Sequence, residues 1–88
     1  MTNDTKTPSA IIREGALKAT IWKNNGPHGD FYKVTVTRTF KQGDDFKETG
    51  SLTGAENLQA SRLRLQAYER TLELEAADRE AAESEQTT

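Results

Sequence analysis

Apolar and polar residues alternate along much of the first half of this chain, and the alternation predicts strands. Across Ile12–Lys23, Leu17, Ala19 and Ile21 interleave with Lys18, Thr20 and Trp22, the period of a strand with one covered side. Phe31–Lys41 is the clearest case. Tyr32, Val34, Val36 and Phe40 point one way, and Phe31, Lys33, Thr35, Thr37 and Thr39 point the other. Nearly all of these residues are β-branched or aromatic, as a pleated surface favours. A third strand is predicted over Asp45–Leu52, with Phe46 and Leu52 in phase.

Asn24-Asn25-Gly26-Pro27-His28-Gly29-Asp30 is a run of turn formers, so the first two strands form a hairpin. The phase pairs Ile21 with Tyr32, Ala19 with Val34 and Leu17 with Val36 on one face. On the other it sets Trp22 opposite Phe31, Thr20 opposite Lys33 and Lys18 opposite Thr35, and a one-residue slip would mix the faces. The second hairpin is expected to turn at Gln42-Gly43-Asp44 and pair Phe40 with Phe46. It then places Arg38 opposite Glu48 as an ion pair, Thr39 opposite Lys47, Thr37 opposite Thr49 and Thr35 opposite Ser51.

After Leu52 the period lengthens. Thr53-Gly54-Ala55-Glu56 has the spacing of a capping box, and the Ala, Leu, Glu, Arg and Gln that follow are good helix formers. One helix from Gly54 to Ala77 or beyond is expected. Leu58, Leu65 and Leu72 recur every seven residues with Ser61 and Tyr68 between them, and Leu63, Ala67 and Leu74 form an adjacent row. Leu58, Leu65, Tyr68 and Leu72 either pack on the sheet or zip against a second copy. The expected fold class is α+β, a three-stranded antiparallel meander packed by one long C-terminal helix.

With 88 residues there is room for a single domain. The polar stretch 1–10 and the acidic stretch 79–88 read as disordered tails flanking a domain over 11–78. About 65 residues of foldable chain supply a small core, which favours a homodimer. Cysteine is absent, which excludes disulfides and thiolate metal sites and fits a cytoplasmic setting. No apolar run reaches membrane-spanning length. His28 is the lone histidine and has no partner imidazole, so no metal site is expected. No nucleophile has a base placed beside it, so neither catalytic residues, a cofactor nor a small-molecule substrate is expected.

The net charge of −2 hides a split. Residues 11–54 carry seven cations against five carboxylates, whereas residues 55–88 carry four arginines against eight carboxylates. Three of these cations are expected on the sheet face turned from the helix, which is expected to collect Lys18, Thr20, Trp22, Phe31, Lys33, Thr35 and Lys47. Lysines for phosphates, hydroxyls for polar contacts and exposed rings for stacking are the parts from which sheets build single-stranded nucleic acid sites. Thr and Lys are also what any solvated antiparallel face carries. The first functional expectation is therefore a non-enzymatic module that binds single-stranded nucleic acid. The alternative is a small homodimeric protein–protein interaction module or adaptor.

The segment "IREGALKATIWKNNGPHGDFYKVTVTRTFKQGDDFKETGSL" resembles a group of small bacterial proteins of unknown function. They share an LKATIWKN…FYKVTVTR framework, carried here by Trp22, Lys23, Asn24, Phe31, Tyr32, Arg38, Lys41 and Lys47. That resemblance implies a shared fold. A looser, architectural likeness is to the PC4/whirly type of single-stranded-DNA-binding protein, in which four strands precede one long helix, against the three expected here.

Overall fold

In the computed structural model, which describes residues 7–86, the chain forms four strands and one helix. They are β1 (Ala10–Glu14), β2 (Leu17–Gly26), β3 (Gly29–Gln42), β4 (Asp45–Thr49) and α1 (Gly54–Gln86). The strands make one antiparallel sheet in the order β1-β2-β3-β4. The tail residues 1–6 and 87–88 lie outside the described residues.

The expected first strand is two strands. Gly15 adopts φ 60°, the left-handed conformation that glycine enters without a Cβ penalty. With Ala16 it makes a two-residue turn that pairs Glu14 with Leu17 and Ile12 with Ala19. The turn reverses the phase, so Ala10, Ile12 and Glu14 share a face with Leu17, Ala19 and Ile21.

The β2–β3 register differs by two residues from the expected one: Ile21 pairs with Val34, Ala19 with Val36 and Leu17 with Arg38. A shift of two leaves every side chain on its expected face. It extends the hairpin to Gly26–Gly29, with only Pro27 and His28 at the tip. Proline cannot take the positive φ of a primed turn, and Gly29 supplies φ 120° after it.

The β3–β4 register differs by one, and that inverts β4. Gly43, at φ 65°, and Asp44 form a two-residue turn, so Lys41 pairs with Phe46, Phe40 with Lys47 and Arg38 with Thr49. Phe46 therefore points away from the helix and is 72% exposed. The expected pair of Arg38 with Glu48 is absent, because the two lie on opposite faces.

Helix α1 crosses β1, β2 and β3 and makes no contact with β4. Its N-terminus carries the capping box: the Glu56 amide donates to Thr53 Oγ1 at 3.2 Å, and the Thr53 amide donates to Glu56 Oε1 at 2.9 Å. The same carboxylate lies 3.2 Å from Arg38 Nε, without the alignment of a hydrogen bond. The core is Leu17, Ala19, Ile21 and Val36 from the sheet and Ala60, Leu63 and Ala67 from the helix. Of the two leucine rows, the one through Leu63 faces the sheet. Leu58, Leu65, Tyr68 and Leu72 are exposed. The helix also runs to Gln86, through residues expected to form the acidic tail, whose Ala, Glu and Arg content suits a helix. Among the described residues no helix is long and apolar enough to cross a membrane.

Beyond the edge of the core, the far half of α1 is tied to the β2–β3 hairpin. Tyr32 Oη donates to Asp78 Oδ2 at 2.6 Å, and Lys23 Nζ sits 3.1 Å from the same oxygen. The hydrogen bonds from Tyr32 and Lys23 hold the Asp78 carboxyl below its ordinary pKa. Burial and the bond to Asp78 raise the Tyr32 phenol.

Candidate nucleic-acid interface: the open sheet face

The registers define the face turned from the helix. β1 contributes Ile11 and Arg13, and β2 contributes Lys18, Thr20, Trp22 and Asn24. β3 adds Phe31, Lys33, Thr35, Thr37, Thr39 and Lys41, and β4 adds Phe46 and Glu48. Four cations thus share the face with one carboxylate. The helix on the opposite side carries four arginines against eight carboxylates. The open face is net positive and the helix net negative, with the acidic excess of the helix in its second half.

Of the seven residues expected to form the site, six lie on this face. Lys47 does not: it pairs with Phe40 and points to the helix side, a consequence of the one-residue register in the second hairpin. Lys41 and Phe46 take its place, and the extra turn at Gly15 adds Arg13 and Ile11. The signal that could have exposed that turn is the odd spacing between Ile12 and Leu17, which cannot share a face in a single strand.

Thr20 is on the face but only 5% exposed, set between Ile11 and Thr35 on the flanking strands. Its hydroxyl is not presented to a ligand. Trp22 lies opposite Lys33 rather than Phe31, and its indole Nε1 donates to Thr35 Oγ1 at 3.3 Å. That bond leans the half-buried ring along the sheet and satisfies its one donor. Phe31 is 41% exposed, and Lys33 Nζ stands 5.8 Å from its ring centroid, within cation–π range.

Lys18 is engaged within the molecule. Its Nζ is 2.5 Å from Glu48 Oε2, and Thr37 Oγ1 donates to Glu48 Oε1 at 3.3 Å. The hydrogen bond from Lys18 is the chief reason that the Glu48 carboxyl lies below its ordinary pKa. Among the described residues Arg13, Lys33 and Lys41 form no close ion pair, Arg13 acting on Glu48 only at longer range, and they spread across the whole sheet. Phe31 and Lys41 sit near opposite ends of β3, about 33 Å apart at the rise of an extended strand.

His28 is exposed at the hairpin tip. Among the described residues no group of three or more His, Cys, Asp or Glu side chains could hold a metal ion. No family model, curated protein or solved structure matches this chain.

Proposed function

We propose that the open sheet face binds single-stranded nucleic acid. The observation that carries the reading is the segregation of charge and aromatic surface. Arg13, Lys33 and Lys41 frame Trp22, Phe31 and Phe46 on one side of the sheet, and the acidic helix lies on the other. Cations that flank exposed rings allow phosphates and bases to be engaged together, with stacking tolerant of sequence because every base has a π-face. A duplex offers no unstacked bases to such a surface. The four strands that precede α1 match the element order of the PC4/whirly type, an analogy of architecture that carries no activity by itself.

The test is fluorescence anisotropy of a labelled oligothymidylate titrated with the protein at several salt concentrations. Three cations outside any close ion pair predict a slope of log K on log salt near −2, at about −0.7 per neutralised phosphate on a single strand. Loss of one stacking ring in Trp22→Ala or Phe31→Ala should weaken binding by about 5- to 150-fold, the equivalent of about 1–3 kcal/mol. Binding that ignores salt, or that survives both substitutions unchanged, would refute the reading.

A further inference from the structure

Leu58, Leu65, Tyr68 and Leu72 are 76%, 57%, 57% and 45% exposed on a helix that already has a complete sheet-facing stripe. At about 100° per residue, their stripe is centred about 150° around α1 from the buried one. It faces outward, flanked on its β1 side by Arg62, whose Nη2 meets Glu14 Oε2 at 2.6 Å and which lines one shallow depression with Leu58, Ser61 and Leu65. The protomer is also extended for its size. Its radius of gyration is 16.0 Å, against about 12 Å for a compact chain of this length. Its accessible surface is 6398 Å², against about 5,200 Å² expected for the mass. The excess, about 1,200 Å², is as large as the roughly 800 Å² per partner that a standard interface removes.

We propose that this stripe is the interface of a homodimer in which two α1 helices pack antiparallel across a two-fold axis near Gln66 and Ala67. In that arrangement Leu65 meets the partner's Tyr68, and Ser61 meets the partner's Leu72. Ser61 fits an apolar seam because its hydroxyl already donates to the Leu58 carbonyl at 2.7 Å. Charge selects the orientation. Residues 55–70 contain three arginines and two glutamates, whereas 71–83 contain five carboxylates and one arginine. A parallel pair would set the two acidic halves side by side and face Glu75 with its copy. The antiparallel pair brings each acidic half alongside a basic one and places Arg62 beside the partner's Glu69, twice. This interface leaves the open sheet face untouched, so it is independent of the proposed nucleic acid site.

Sedimentation equilibrium of the full chain tests the assembly. At about 100 µM the mass should be twice that of the monomer, and Leu65→Glu should raise the dissociation constant at least tenfold. Leu65 is exposed, so that variant should keep the wild-type circular dichroism; Tyr68→Glu is the second variant should it not. Orientation is read from a nitroxide on Ala55→Cys, possible because the chain has no other cysteine. The antiparallel dimer places the two labels about 35 Å apart and a parallel one about 10–15 Å. A monomer at that concentration, a dimer indifferent to both charged substitutions, or the short distance would overturn the proposal.

Discussion

Two leucines two residues apart on α1 are assigned opposite environments, and truncating each in turn tests that assignment. Leu63 is 0% exposed and sits among Leu17, Ile21 and Ala67, whereas Leu65 is 57% exposed. Leu63→Ala removes buried methyl groups and leaves a cavity beneath a helix that the sheet cannot follow, a change that costs about 3–5 kcal/mol. A domain of this size has about 4–13 kcal/mol in all, so the variant loses a large share of its stability. With a urea m-value near 1 kcal/mol/M, the unfolding midpoint should fall by about 3 M or more. Leu65→Ala should move it by no more than about 0.5 M, since surface truncations stay within about 0.5 kcal/mol. The assay is urea unfolding followed by far-ultraviolet circular dichroism, at a dilution where the proposed dimer is dissociated. Equal costs at the two positions would refute the placement of the helix on the sheet.

Three further outcomes follow from particular contacts. Gly15→Ala forces an L side chain into φ 60° and should cost about 1–2 kcal/mol by thermal unfolding, even though a Cβ there meets only the Gln59 amide at 3.8 Å. The Glu48 and Asp78 carboxyls have lowered pKa values in the folded chain, so the folded state binds fewer protons than the unfolded one. Their contribution is complete above the ordinary carboxylate range near pH 4 and is lost as pH falls through the folded values. Midpoints measured from pH 6 down to pH 2 should therefore drop more steeply for the wild type than for a Glu48→Gln, Asp78→Asn double variant. Phe46→Ser should leave stability within about 0.5 kcal/mol of wild type, because the ring is 72% exposed; a core-sized loss would restore the one-residue-shifted register of β4.

The sequence makes the helix and the middle of the sheet legible because local chemistry and burial agree there. Thr53 and Glu56 form the capping box that their spacing implies, and β2 and β3 keep their faces because a two-residue shift is invisible to alternation. The edges are harder to read. Phe40, Phe46 and Leu52 suggest one apolar phase, but Gly43 and Asp44 close a two-residue turn that puts Phe46 on the open face. Nothing in burial corrects the inference, since β4 lies beyond the helix. Arg38 illustrates the same limit: its partner is Glu56, reached through the fold, rather than Glu48 on the neighbouring strand. The open face is legible as a polar side with two rings, while its membership depends on the turns at Gly15 and Gly43. The two leucine rows are visible as rows, but which of them meets the sheet is decided by packing.

Under the proposed function the two sides of the sheet have separate tasks. A titration of the isotopically labelled protein with oligothymidylate, followed by amide and indole chemical shifts, addresses it residue by residue. The Trp22 indole N–H, bonded to Thr35, and the amides around Arg13, Phe31, Lys33, Lys41 and Phe46 should shift together and saturate together, while those of Leu58 through Glu83 stay in place. Shifts concentrated on the helix, or none anywhere at low salt, would contradict it.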